Sequence, residues 1–146
     1  MGYYSKKSLY PRRPSDFQYP NLFKKLEVDS PLVTWVNHCT FFIKIDGIGI
    51  LTDPIWSQRC SPINFIGPKR THPVPFSLEQ IPKTDIVLIS HDHYDHFDKK
   101  TVKFLVKSQP NIVWVVPLGL KKRLINMGAN RIIEMDWWER SVCVVN

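Results

Sequence analysis

Between His91 and His96 the chain reads His-Asp-His-Tyr-Asp-His, directly after the apolar run Asp85-Ile-Val-Leu-Ile-Ser90. Three of the five histidines fall in these six positions. A near-continuous apolar run of this length predicts a strand buried on both faces. In extended backbone alternate residues point the same way, so His91 and His93 can reach one metal together. A turn after them brings Asp95 and His96 to a neighbouring point. Imidazole and carboxylate are borderline-to-hard ligands that suit Zn²⁺, with Fe or Mn as alternatives. Two adjacent metals can share a hydroxide at neutral pH, because they lower the pKa of bound water. The bland alternative is a polar loop whose side chains hydrogen-bond one another; the ligand spacing argues against it.

The elements around the box predict an α/β chain. Val33–Val36, His38–Ile45 and Ile48–Leu51 read as strands, with Asp46-Gly47 as a two-residue hairpin signal. Residues 53–76 carry five prolines and little periodicity. They predict a long loop, and loops of that length are uncommon unless they serve a function. Ser77-Leu-Glu-Gln80 has capping-box spacing for a short helix. A second helix is expected from Lys99 to about Ser108, with Asp98 as N-cap and Val102, Leu105 and Val106 as its buried stripe. Ile112–Val116 predicts another buried strand, and Leu120–Met127 a short helix ended by Gly128. Ile132-Ile133 and Val142–Val145 read as closing strands. Hairpins followed by alternating strands and helices mean a mixed sheet.

The chain has 146 residues, 43% of them apolar and 23% charged, ordinary values for a globular domain. The longest apolar stretch, Ile112–Leu120, is far short of a membrane span. No apolar segment opens the sequence, so no secretory signal is expected, and Lys6 occupies the Ser/Thr position of a myristoylation motif. Residues 1–30 hold Pro11, Pro14 and Pro20 among basic and aromatic residues. They are read as an arm that packs on the body through Tyr3, Tyr4, Tyr10, Phe17, Tyr19 and Phe23. Residues 31–146 then form the domain proper. Cys39, Cys60 and Cys143 form no CxxC and cannot all pair, which fits free thiols in a reducing, cytoplasmic compartment. The net charge of +7 suits an anionic partner. No aromatic-basic platform accompanies it, so no nucleic-acid partner is expected.

An ordered set of motifs narrows the reading: Trp35-Val-Asn-His-Cys-Thr40, Leu51-Thr-Asp-Pro-Ile-Trp-Ser57, Ser61-Pro62, Gly67-Pro-Lys-Arg70, Ile89-Ser-His-Asp-His-Tyr-Asp-His96, Pro117-Leu-Gly119 and Asp136-Trp-Trp-Glu139. HxHxDH after a buried strand resembles the metallo-β-lactamase superfamily signature. The whole set, from about Val33 to Glu139, resembles the N-acylphosphatidylethanolamine-hydrolysing phospholipase D family. The resemblance implies an αββα sandwich with metals at the strand ends. It implies two zincs per complete site, His91 and His93 on one, Asp95 and His96 on the other. Asp95 would also orient the attacking hydroxide. The implied reaction is hydrolysis of the headgroup-side phosphodiester of a phospholipid to N-acylethanolamine and phosphatidic acid. Metal ions would polarise the phosphoryl oxygen during in-line attack. No GxSxG nucleophile motif is present, and Gly47-Ile-Gly49 does not extend to a dinucleotide fingerprint.

The family's third histidine, bridging aspartate and further histidine have no counterpart, since no histidine follows His96. A catalytic zinc takes about three protein ligands, and here each metal would have two. The chain is therefore expected to be the N-terminal half of a binuclear hydrolase, completed by a C-terminal half or a complementary chain. It is expected to expose sheet surface and to have weak or no activity alone.

The resemblance favours Asp53 as an acceptor that orients a ligand, over a plain turn former before Pro54. His38 is read either as a site residue of the same kind or as a satisfied structural histidine. His72 reads as exposed. Arg59, Lys69 and Arg70 could meet a phosphate or anionic headgroup, against a default of solvated charge. Lys121, Lys122 and Arg123 read as a solvated helix face. Of Trp137 and Trp138, adjacent on an expected strand, one should be core and the other could face lipid. Two alternatives stand beside the phospholipase reading: hydrolysis of a lactone, thioester or nucleic-acid phosphodiester on the same scaffold, and a non-catalytic fragment that binds a complementary chain or a membrane surface. Peripheral membrane contact is left open.

Overall fold

Three antiparallel strands open the sheet: β1 (Leu32–Asn37), β2 (Thr40–Ile45) and β3 (Ile48–Thr52). The computed structural model describes residues 31–63 and 65–145, so the expected arm over residues 1–30 lies outside the described residues. Asp46 and Gly47 join β2 to β3 with φ of +48° and +77°. Successive positive values are those of a type I′ turn, whose twist matches the flanking strands. His38 and Cys39 do not belong to β2 as expected. They form the β1–β2 turn, with His38 at φ +39°. A left-handed residue cannot continue an extended strand.

After β3 the chain becomes α/β. The loop over residues 53–76 is irregular, pinned by one bridge between Arg59 and Lys69. The Ser77 signal yields a single 3-10 turn, Leu78–Gln80, in which Gln80 Oε1 accepts from the Ser77 N–H at 3.0 Å. β4 (Ile86–Leu88), α1 (Lys99–Ser108), β5 (Val113–Pro117), α2 (Lys121–Ile125) and β6 (Ile132–Met135) follow. The strands form one six-stranded sheet in sequence order, with β3 to β6 parallel. Asp98 caps α1 as its sequence position predicts, accepting from the Lys100 N–H at 3.0 Å. Gly128, at φ +96°, ends the α2 segment, with the Ala129 N–H returned to the Leu124 carbonyl. That left-handed glycine just past a helix is the expected stop.

The core lies on one face of the sheet. Phe42, Leu51, Val87 and Trp114 stand in register across four strands and are almost fully buried, with Val102 and Leu105 of α1 and Leu124 of α2 in the same cluster. The opposite face is a correction. Val33, Ile43, Ile50, Leu88 and Val115 alternate onto it as an apolar row, yet Val33 is 66% and Leu88 37% exposed. The run Asp85–Ser90 is therefore buried on one face only. An apolar run records composition; the layer that covers it must come from elsewhere in the structure.

Two further expectations fail. Val142–Val145 forms no strand, and Val142 is 96% exposed. No strand edge pairs with it among the described residues, and its attachment is the Arg131 guanidinium donating to the Val144 carbonyl at 2.6 Å. Trp137 and Trp138 are both exposed, because they lie in the turn that ends β6 rather than on a strand. No described helix is long and apolar enough to cross a membrane.

Candidate metal centre

The carboxyl ends of parallel strands β3, β4 and β5 meet at one edge of the sheet, where open α/β sheets commonly hold their ligands. The ladder runs on past the strands: the Asp53 N–H donates to the Leu88 carbonyl at 2.9 Å, and the Ile89 N–H to that of Val115 at 3.0 Å. Asp53, following β3, thus stands beside Ser90 and His91, following β4. Asp53 is buried at φ +35°, a conformation that favours glycine but that aspartate tolerates when surroundings hold it.

The Asp53 carboxylate is the hub of the box. Its Oδ1 accepts from the Ser90 N–H and its Oδ2 from the Ser90 hydroxyl, both at 2.7 Å. Oδ2 also lies 2.8 Å from Nδ1 of His96. A carboxylate only accepts, so His96 donates from Nδ1, and Nε2 is the nitrogen left to face a metal. Ser90 Oγ is 2.9 Å from His91 Nδ1. With the hydroxyl proton given to Asp53, that oxygen accepts from His91 Nδ1–H, so in His91 too Nε2 is the nitrogen left to face a metal.

The box folds as a tight turn, with the N–H groups of His96 and Phe97 both donating to the His93 carbonyl, at 3.0 and 2.7 Å. Phe97, 1% exposed, roots the turn in the core. The rings of His91 and His96 lie 4.0 Å apart and those of His91 and His93 4.6 Å apart, centroid to centroid. Asp95 Oδ2 sits 3.3 Å from His38 Nε2 and 3.8 Å from His96 Nε2. Burial pushes the Asp95 carboxyl up, but a backbone hydrogen bond and the imidazoles of His96, His38 and His93 outweigh it and hold it below the usual aspartate range.

All four residues expected as ligands are thus brought together, with Asp53 against His96 and His38 against Asp95. Spacing in the sequence missed three others. Ser90, adjacent to the box, bridges Asp53 and His91. Cys39 lies beside His38, and the donor atoms of His38, Cys39 and His96 all fall within 4.8 Å of one another. Burial, then the charges of Asp53 and Asp95, raise the Cys39 thiol above its ordinary value. Arg123 leaves the solvated helix face expected of it: it donates to Asp92 Oδ2 at 2.8 Å and stacks over the Phe97 ring at 4.6 Å.

A cavity of about 730 Å³ opens beside the box, lined by Trp35, Asn37, His38, His93, Tyr94 and Asp95 and also by Lys69, Arg70 and His72. His72 is half-buried there. The Arg70 guanidinium donates to the carbonyls of Ile55 and Ser57, at 3.0 and 3.1 Å, and that of Arg59 to the carbonyl of Gly67 at 2.6 Å. Both arginines therefore brace the long loop, with Arg70 also lining the cavity. A second cavity of about 670 Å³ is lined by Asp53 and Ser90 together with Leu88, Val115, Leu118, Met135 and the exposed tryptophans.

Residues 49–144 match the family described as the beta-lactamase superfamily domain. The chain is 43% identical over 118 residues to N-acyl-phosphatidylethanolamine-hydrolyzing phospholipase D 1 of Caenorhabditis elegans, an alignment covering 77% of this chain and 33% of that protein. It is 33% identical over 106 residues to the mitochondrial enzyme of the same description from Saccharomyces cerevisiae, covering 73% of this chain and 22% of that one. The chain thus spans about a third or less of the length of these relatives. Among solved structures it resembles the diiron beta-hydroxylase CmlA from Streptomyces venezuelae, with a TM-score of 0.58 and 24% identity over 80% of this chain and 23% of that one, a likeness of fold.

Proposed function

Because the chain belongs to the beta-lactamase superfamily, we propose that it carries the metal-binding loop of a zinc-dependent phosphodiesterase acting on N-acylphosphatidylethanolamine. Its relatives of that description in Caenorhabditis elegans and Saccharomyces cerevisiae support the substrate class. The donor chemistry fits a divalent metal. His91 and His96 each have Nδ1 engaged by an oxygen, the arrangement in which a neighbouring group orients an imidazole that ligates through Nε2. His91 and His93 would hold one ion, Asp95 and His96 a second. When bound, such ions supply Lewis-acid polarisation of a phosphoryl oxygen and acidify coordinated water.

The chain's own residues do the rest. Asp53 fixes the His96 ring through Nδ1, and Ser90 fixes that of His91. Asp95 stays ionised at neutral pH, so Oδ2 can accept a proton from a water attacking phosphorus. The cavity beside the box, with Lys69 in its lining, suits an anionic headgroup. The second cavity, lined by Leu88, Val115, Leu118, Trp137 and Trp138, suits acyl chains and peripheral contact with a membrane.

The carrying observation is the 2.8 Å contact between Asp53 Oδ2 and His96 Nδ1. The test is hydrolysis of N-acylphosphatidylethanolamine by the zinc-loaded protein, compared with a lactone panel and with a variant carrying His91→Ala and His93→Ala. Release of N-acylethanolamine, lost in the variant, is expected. Lactone hydrolysis without phosphodiester cleavage would overturn the substrate reading. Because two ligands per ion fall short of the usual three, activity of this chain alone is expected to be weak unless a further chain or segment completes the site.

A further inference from the structure

We propose that the turn between β1 and β2 is itself a metal-ligating element: His38 and Cys39 join His96 to form a three-donor site for a borderline-to-soft divalent ion such as Zn²⁺. The HxHxDH box alone gives the His96 ion only two donors, His96 and Asp95. The imidazole of His38, the thiol of Cys39 and the imidazole of His96 lie with their donor atoms within 4.8 Å of one another. One thiolate with two imidazoles is a donor set that zinc accepts readily, and the sulfur biases the site toward softer ions. The inference shares His96 with the site proposed above and rests on that reading only through it.

The turn is held in place for this. Trp35 Nε1 donates to the His38 carbonyl at 3.0 Å. The Thr52 hydroxyl donates to the Cys39 carbonyl at 2.8 Å and accepts from the Phe41 N–H at 2.9 Å. The Thr40 hydroxyl donates to the Asp53 carbonyl at 2.7 Å. The Thr52 and Asp53 bonds tie the turn to the end of β3, the same point from which the Asp53 carboxylate holds His96. Thr52, the last residue of β3, and Asp53, which follows it, therefore hold Cys39 and His96 on two separate loops, while Trp35 of β1 holds His38. The rings of His38 and His96 meet edge-on, 5.1 Å between centroids. Binding would take the Cys39 thiol as thiolate, its proton passing to solvent as the sulfur–metal bond forms.

The test uses the full 146-residue chain with Cys60→Ser and Cys143→Ser, so that Cys39 is its one thiol, stripped by a chelator and titrated with Co²⁺. A thiolate-to-cobalt charge-transfer absorption that saturates at one ion per chain is expected. It should vanish with Cys39→Ser, weaken about tenfold or more in affinity with His38→Ala, since losing a ligand costs no less than losing a partner of one, and survive His91→Ala with His93→Ala. Circular dichroism of each variant reports folding. In the His91→Ala, His93→Ala background, Zn²⁺ should also slow maleimide labelling of Cys39. Absence of the thiolate band, its persistence at equal affinity in His38→Ala, or its loss in the His91→Ala, His93→Ala variant would each overturn the proposal. Loss of phosphodiesterase activity with the band intact would instead count against the proposed function alone.

Discussion

Asp53 Oδ2 lies 2.8 Å from His96 Nδ1, although the two residues are 43 positions apart and belong to different loops. The same carboxylate also accepts both hydrogen bonds offered by Ser90. One buried acid at the end of β3 thus sets the conformation of the loop that follows β4.

Replacing that acid should loosen the metal before it unfolds the chain. Asp53→Asn keeps the shape but swaps an oxygen for an N–H₂ that cannot accept from Ser90 and His96 together. Metal affinity is expected to fall about 10- to 100-fold, the usual cost of removing a ligand's orienting partner. Isothermal titration with Zn²⁺, wild type against variant, measures it; equal affinities would show that His96 needs no such support.

Asp98 is the corresponding structural anchor. Beyond capping α1, its carboxylate accepts from the backbone N–H groups of Trp56 and Ser57, at 3.2 and 2.8 Å, and from the hydroxyls of Ser57 and Thr101, at 2.8 and 2.7 Å. Asp98→Ala removes a helix cap, worth about 1 kcal/mol, and leaves buried donors unpaired at about 1–3 kcal/mol. A loss of about 2–4 kcal/mol is therefore expected in urea unfolding. A change below about 0.5 kcal/mol, ordinary for a surface site, would contradict the hub role.

The Asp95 carboxyl carries a pH dependence. Burial raises it, but the backbone hydrogen bond and the imidazoles of His96, His38 and His93 bring it below the ordinary range. A carboxyl lowered in the folded state stabilises that state above its unfolded pKa, about 3.9, and the contribution is lost as pH falls through the lower folded value. In the metal-free chain its NMR titration midpoint should lie below that of an aspartate in a short peptide. With His38→Ala the midpoint should rise. An unchanged midpoint would remove His38 from the electrostatics of the site.

The apolar row on the open sheet face has a solution signature. With Val33 66% and Trp35 55% exposed, the chain should bind 1-anilinonaphthalene-8-sulfonate in the folded state and self-associate as concentration rises. Val33→Thr with Leu88→Thr should weaken both without lowering the unfolding midpoint much. A monomeric wild-type chain that leaves the dye dark would mean this face is covered.

The box, the hairpin and the caps were legible because each is a local pattern. His91-x-His93-x-Asp95-His96 places donors by strand alternation and a turn. Asp46-Gly47 takes the paired left-handed conformation its residue types favour, and Asp98 sits one residue before a helical stripe. The misreadings share a cause. By pattern alone the run Asp85–Ser90 reads as buried on both faces, Val142–Val145 as a strand, and one of Trp137 and Trp138 as core. Apolarity is a property of residues, whereas burial and pairing depend on whether another layer or edge is there to receive them.

What the sequence determined by itself is therefore the α/β order of elements, the superfamily and the donors of the box, since ligand type and spacing are written along one stretch of chain. The tertiary structure decided which oxygen holds which imidazole. Ser90 became a bridge through the parallel pairing of β3 with β4, Arg123 a clamp on Asp92 from the helix after β5, and the His38–Cys39 turn a neighbour of His96 through the antiparallel pairing of β1, β2 and β3. No spacing rule along the chain encodes that approach; it follows from register, and register is set by how Leu51, Val87 and Trp114 pack on the common face.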